Sequence, residues 1–291
     1  MRLDELVARL DEYFRIADVR GDDWAPGFED CYPKPYWREY VEPEYVNRWN
    51  GLMVSGAAEV ERVATCVFPS DAIVGGLESG TFLFSEHPLD FAEFTGFHPL
   101  ARASFERMRA RGISFYHAHA PLDMHPDVSP SRLIGTGLGL QKLEEYGPIA
   151  DGIPGGACII GESDASLDDL AVRLQELLGE EIPVEVVTRP REEAGRVAVV
   201  AGGGADVGLL EQSLARGCRT YVTGNAARQP EHAFFRQKFD AFRELAAEHD
   251  VALVDGTHYG TEKPPQLAMV TWFRRVGLEA DFHPDGPKLL R

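Results

Sequence analysis

No two of the four cysteines in this 291-residue chain, Cys31, Cys66, Cys158 and Cys218, lie close in sequence. That spacing excludes a thiolate zinc motif and offers no disulfide framework, so a reducing compartment is expected. No apolar run approaches the ~20 residues that a membrane helix needs. The first residues, Met1-Arg2-Leu3-Asp4-Glu5-Leu6, place acids where a secretory leader would carry an uninterrupted apolar region. A soluble, cytoplasmic protein with no membrane partner is therefore expected. Positive charge is scarce: 29 Lys and Arg against 47 Asp and Glu leave a net charge of -18. Such a surface repels phosphate backbones and argues against a nucleic-acid partner. There is no Gly-x-Ser-x-Gly elbow, which removes support for serine-hydrolase chemistry. The run Gly202-Gly203-Gly204-Ala205-Asp206 lacks a dinucleotide fingerprint, with Val207 in place of the third glycine, and it carries no Walker lysine.

Apolar residues make up 44% of the chain, normal for a globular protein and enough for one or two domains. Leu3, Leu6, Val7 and Leu10 recur at helical spacing and predict a helix over residues 3–15. Residues 18–50 read as a long loop rich in acids, prolines and aromatics, among them Trp24, Phe28, Tyr32, Trp37, Tyr45 and Trp49. Beyond it strands and helices alternate. Strands are predicted at 60–68, 81–84, 113–117, 157–161, 184–188, 196–201, 220–224 and 251–255. Helices are predicted at 99–111, 129–140, 167–178, 207–215, 231–249 and 266–276. This alternation implies an α/β fold of two similar lobes, 1–146 and 147–291, with mainly parallel mixed sheets. Residues 147–156, rich in glycine and proline, mark the boundary, and the lobes are expected to intertwine as one unit. Ligands in open α/β sheets bind beyond the carboxyl ends of strands, so the site is expected in the cleft between the lobes.

Three clusters of nitrogen and oxygen donors stand at predicted strand ends. Glu86-His87-Pro88 follows the strand at 81–84. His117-Ala118-His119 ends the strand at 113–117, and Asp123 comes one turn later. On a strand both rings would share a face; if the strand ends at His117, the chain can turn and bring Asp123 beside His119. His258 and Glu262, four apart after the apolar run 251–254, would share one helix face. Imidazoles and carboxylates without thiols suit zinc, iron or manganese, as one ion or as two bridged by a carboxylate with an acidified water between them. His98 is expected to start a helix and His125 to be solvent-exposed. His232, His249 and His283 show no partner pattern. The triple-glycine turn offers two readings: an anion cradle at a helix N-terminus, or tight helix–strand packing.

In chain order these motifs resemble those of the Nif-three-like family, also labelled GTP cyclohydrolase I type 2 homologues. The matching segments are Trp49-Asn50-Gly51-Leu52-Met53-Val54, Phe84-Ser85-Glu86-His87-Pro88-Leu89-Asp90-Phe91 and His119-Ala120-Pro121-Leu122-Asp123. They continue through Val200-Ala201-Gly202-Gly203-Gly204, Tyr221-Val222-Thr223-Gly224-Asn225 and His258-Tyr259-Gly260-Thr261-Glu262. The resemblance implies a dinuclear metal centre held by His87, His119, Asp123, His258 and Glu262, with Glu86 as a further oxygen ligand. It also implies a homo-oligomer, possibly a hexamer. Two departures are visible: Glu86 replaces the first histidine of a His-His pair, and Asn225 replaces a glutamate. The expected activity is hydrolysis of a small nucleotide-like or heterocyclic substrate by metal-bound hydroxide, with Glu262 and Glu86 as catalytic carboxylates. A non-catalytic metal-binding adaptor is the alternative, and a metal-free nucleotide-binding module built on Gly202–Gly204 is a third reading.

Overall fold

The computed structural model of the chain describes residues 1–19, 25–32, 34–147, 156–231 and 233–289. Trp24, His232 and residues 148–155 of the expected boundary lie outside the described residues. The first half runs α1 (Leu3–Tyr13), α2 (Ala25–Cys31), a 3-10 turn (Tyr36–Glu39), α3 (Tyr45–Arg48), β1 (Gly51–Val54), β2 (Arg62–Cys66), α4 (Asp71–Gly76) and β3 (Phe82–Ser85). It continues with β4 (Asp90–Ala92), β5 (Gly96–His98), α5 (Arg102–Arg111), β6 (Ser114–His117), α6 (Ala120–Asp123), α7 (Pro130–Gly137) and β7 (Gln141–Tyr146). The second half runs β8 (Cys158–Ser166), α8 (Leu167–Leu178), β9 (Glu185–Thr188), β10 (Glu193–Val200), α9 (Val207–Ala215) and β11 (Thr220–Thr223). It closes with α10 (Ala233–Glu248), β12 (Ala252–Asp255), α11 (His258–Arg275) and β13 (Glu279–Phe282).

Two large mixed sheets result. The first has the order β1-β6-β3-β2-β13, parallel except for antiparallel β1 at one edge. The second has the order β7-β8-β10-β11-β12-β9, with a parallel centre, β10-β11-β12, flanked by antiparallel neighbours. Strands β3, β6, β11 and β12 are buried along their whole length, as central strands covered on both faces must be. The carboxyl ends of β3 and β6 in one sheet and of β10, β11 and β12 in the other lead into the loops that line the cleft.

The chain crosses between the sheets more than once. Strand β7 already belongs to the second sheet, while β13 returns to the first and lies parallel to β2. Helix α11 packs against β2 and β13 as well as α7 and α8, burying Met269, Val270 and Phe273 with Phe82 and Phe84. It runs unbroken through Pro264-Pro265, so the donor pair and the expected last helix are one element. The described residues of the 18–50 segment are not the expected long loop. Prolines cut the segment into short helical pieces, and Phe28, Tyr32, Trp37 and Tyr45 bury themselves against Leu83, Phe105 and Phe115. Pieces this short draw their order from tertiary packing rather than from helical periodicity. Two histidines also differ from expectation. His98 ends β5, ahead of the helix that begins at Arg102, and His125 is buried against Tyr13 and Phe14, with Nε2 facing the Tyr13 carbonyl at 3.1 Å.

Burial pushes up several phenols, among them the deeply buried Tyr32, Tyr116, Tyr146 and Tyr221. Tyr116 donates to Asp11 Oδ1 at 2.9 Å and Tyr221 to the Gly204 carbonyl at 2.7 Å. A phenol whose folded pKa exceeds its unfolded value, about 10, contributes stability in full below that value and loses it as pH climbs toward the folded one. The unfolding free energy from urea titrations should therefore begin to fall above about pH 8.5, where the thiols of Cys66 and Cys158, also pushed up by burial, start to count. It should fall more steeply above about pH 10, by about 1.4 kcal/mol per pH unit for each buried phenol. A flat profile to pH 11 contradicts this.

Candidate metal centre

Strand β3 ends at Ser85 and hands Glu86 and His87 to the cleft. The Ser85 hydroxyl donates to the His87 carbonyl, fixing the turn. Strand β6 ends at His117, so strand alternation stops there and His117 and His119 part company. The His117 Nε2 lies 2.7 Å from the Tyr45 hydroxyl, whereas His119 stands at the start of α6. The single turn of α6 returns Asp123 to His119, Nε2 to Oδ2 3.9 Å. Asn50, buried just before β1, accepts the His119 N–H at 2.8 Å and so pins this turn.

Strand β12 leads into α11, whose first residue is His258. His258 and Glu262 share a face one turn apart, with Nε2 to Oε1 2.9 Å. The other oxygen of Glu262 lies 3.0 Å from His87 Nε2, across the cleft. One donor atom from each of His87, His258 and Glu262 thus falls within 4.8 Å of the others. The His119 ring centroid is 4.7 Å from that of His87. Glu86, fully buried, lies near enough to Glu262 and Asp123 to feel their charges, and its Oε2 is 3.5 Å from Gln266 Nε2. All six expected residues gather in one region, five of them lining a cavity of about 560 Å³. Glu86 is absent from the described residues that line it.

The charges follow from burial and pairing. Burial pushes the His87 imidazole down to about 4, so it is neutral and its nitrogen lone pair is free to coordinate. Burial would likewise lower His258, but the Glu262 carboxylate outweighs it and holds this imidazole above its ordinary value. Burial would raise Glu262, and the facing His258 and His87 rings reverse that and hold it low. Glu86 is pushed well up, first by burial and then by Glu262 and Asp123. Phe68 stacks on His87 with centroids 4.8 Å apart, and Phe91 meets His258 edge-on at 4.5 Å. These rings keep the donors out of bulk water.

The triple-glycine turn after β10 is a packing device. Its Gly202 has φ +64°, and a Cβ there would sit 2.0 Å from Glu262 Oε1 and 3.2 Å from His258 Nε2. The Gly202 N–H donates to Thr261 Oγ1 at 2.8 Å, and the Ala205 N–H to Asn225 Oδ1 at 2.7 Å. Asp206 caps α9, accepting from the Leu209 N–H. An acid at that helix N-terminus, and the engagement of the Gly202 and Ala205 N–H groups, oppose the anion-cradle reading and the metal-free nucleotide module built on it. Asn225 acts as a clasp between two turns and also lines the cavity. Sequence reasoning singled out the Gly202 turn and the segment that holds Asn50 but gave neither residue a contact in the site, and it assigned nothing to Thr257. Thr257 has φ 64° and caps α11 by accepting from the Gly260 N–H at 2.9 Å. Only its place just before His258 hinted at it.

A family model described as Duf34/NIF3 (NGG1p interacting factor 3) matches residues 36–280. A Deinococcus radiodurans protein named GTP cyclohydrolase 1 type 2 homolog is 31% identical over 265 residues, covering 89% of this chain and 83% of that protein. An Archaeoglobus fulgidus protein of the same name is 27% identical, covering 80% and 87%. The crystal structure of a Thermus thermophilus protein superposes with a TM-score of 0.60 at 26% identity, covering 98% of this chain and all of that one. Among the described residues no helix is long and apolar enough to cross a membrane.

Proposed function

The chain belongs to the Duf34/NIF3 (NGG1p interacting factor 3) family, and we propose that it is a divalent-metal-dependent hydrolase of a small nucleotide-like or heterocyclic substrate. The observation that carries this reading is the Glu262 carboxylate held between two imidazoles, one from its own helix and one from the turn after β3, in the wall of a cavity of about 560 Å³. The donors fit a cation: two nitrogens and a carboxylate, shielded by aromatic rings, with His87 neutral. A buried oxygen, Glu86 Oε1, and a buried nitrogen, His87 Nδ1, have no hydrogen-bond partner among the described residues.

His87, His258 and Glu262 would hold one zinc, iron or manganese ion, and His119 with Asp123 would supply donors for a second. When bound, such ions supply Lewis acidity and lower the pKa of water. Asp123 and Glu262 line the cavity, so their carboxylates would orient a water there; the imidazoles hold Glu262 low, which leaves Asp123 to take up a proton. Glu86 lies off the cavity wall, where burial and then the charges of Glu262 and Asp123 favour its protonated form, so it would act on the site through its neighbours rather than on substrate. Phe91 and Phe97 exclude bulk solvent over His258.

Protein purified without chelators should carry divalent metal by elemental analysis. It should turn over at least one member of a nucleotide and phosphoester panel with zinc, manganese or iron, and lose that turnover on chelation. Metal bound with no turnover across the panel overturns the hydrolase and leaves a metal-binding adaptor. Absence of metal after reconstitution overturns both.

A further inference from the structure

The first N–H groups of any α-helix have no partner within the helix. In α11 each of these four, on Thr257 to Gly260, is accounted for. The Thr257 N–H reaches Asp255 Oδ1 at 2.9 Å, and the Gly260 N–H reaches Thr257 Oγ1 at 2.9 Å. The remaining two, on His258 and Tyr259, donate to a residue distant in sequence. The His258 N–H lies 3.3 Å from Glu93 Oε2, and the Tyr259 N–H lies 3.2 Å from Glu93 Oε1.

Glu93 sits in the turn of the β4–β5 hairpin and is buried, with both oxygens spent on the helix start. The hairpin is itself anchored. The Glu93 N–H donates to the Lys288 carbonyl at 3.1 Å, and the Glu231 N–H donates to the Phe94 carbonyl at 2.9 Å. Lys288 Nζ pairs with Asp90 and Asp285. The same hairpin carries Phe91 and Phe97, whose rings lie 4.5 and 6.2 Å from that of His258. One element therefore grips the helix end that bears His258 and walls the cavity beside its imidazole. Carboxylates favour helix N-termini because partial positive charge gathers there.

We propose that Glu93 is a positioning residue, a cap supplied from across the cleft that sets where His258 stands among the donors. The role rests on the metal-site reading above. Removing the carboxylate leaves two buried N–H groups without acceptors and loosens the turn on which His258 is mounted.

Two substitutions in the full chain test this, Glu93→Ala and Glu93→Gln. In metal-free protein, Glu93→Ala should speed amide hydrogen exchange at His258 and Tyr259 at least tenfold, with the later turns of α11 unchanged. With Co²⁺ as the probe, affinity should fall about 10- to 100-fold and the visible absorption bands should shift, as for lost support behind a ligand. Glu93→Gln keeps one acceptor and should recover part of both losses. It also serves if the alanine variant does not fold. Unchanged exchange at His258 and Tyr259 overturns the cap even where metal binds. A lower melting temperature with unaltered Co²⁺ spectrum and affinity overturns the positioning role. Failure of the wild type to bind Co²⁺ overturns the metal reading, and ligand positioning with it, whatever the exchange shows.

Discussion

His258→Ala will weaken zinc or manganese binding by about two to three orders of magnitude, measured by competition with a chromophoric chelator. The imidazole is one of three donors that converge within 4.8 Å, and it is also the nearest partner of the buried Glu262 carboxylate, at 2.9 Å. Losing a hydrogen-bond partner behind a ligand already costs about 10–100-fold in metal affinity, and losing the ligand itself costs more. Breaking the buried ionic pair from one side costs about 3–5 kcal/mol of stability. The metal-free variant should also be less stable at pH 7. Glu262 is held low chiefly by His258 once burial is set against it, and without that ring only His87, itself neutral, faces the carboxylate. The stabilisation at stake is present above the ordinary carboxylate range and fades as acid protonates Glu262, so wild type and variant should converge in stability on acidification. Equal metal affinity in the two proteins would remove His258 from the donor set.

Gly202→Ala should be nearly as damaging, although the glycine carries no functional group. Its φ of +64° strains any residue with a Cβ, at a cost of about 1–2 kcal/mol. The added carbon would stand 2.0 Å from Glu262 Oε1. Either the carboxylate leaves the imidazoles or the turn retreats, and the turn is tied by the Gly202 N–H to Thr261 and by the Gly224 N–H to the Gly202 carbonyl at 3.2 Å. A loss of about 3 kcal/mol in unfolding free energy and at least tenfold in metal affinity is expected. Gly203→Ala is the control. Its nearest new contact would be His258 Cε1 at 3.7 Å, an ordinary distance, so both quantities should stay close to wild type. Indistinguishable behaviour of the two variants would show that the close approach at Gly202 is not what the site depends on.

These two positions mark what a reader of the chain can and cannot see. His258 and Glu262 announce themselves by helical spacing directly after an apolar strand, and His87 by its place after another. Those signals are local, and local geometry carries them intact into the fold. Gly202 lies in a visible glycine run, but its purpose depends on a helix some sixty residues later whose carboxylate presses against it. Glu93 is one acid among many until the N-terminus of α11 arrives beside it, and Asn50 looks ordinary until it meets the His119 N–H. The sheets divide in the same way. Apolar runs such as Phe82–Ser85 and Ala252–Asp255 are buried on both faces and read clearly. Strand β7, Gln141–Tyr146, is an exposed polar edge, and β13 is a short strand at the rim of its sheet, so neither carries the expected pattern. The aromatic segment escaped because its helices are held by rings across space rather than by periodicity.

The return of β13 to the side of β2 has a consequence for biosynthesis. During translation β2 stays an uncovered edge of the early sheet until β13 is made, because that strand, which then forms a short edge of its own, is encoded last among those described. An open rim invites pairing with foreign strands. Nascent chains of this protein therefore pass through a long vulnerable interval, and a premature stop codon shortly before Glu279 would leave that hazard permanent.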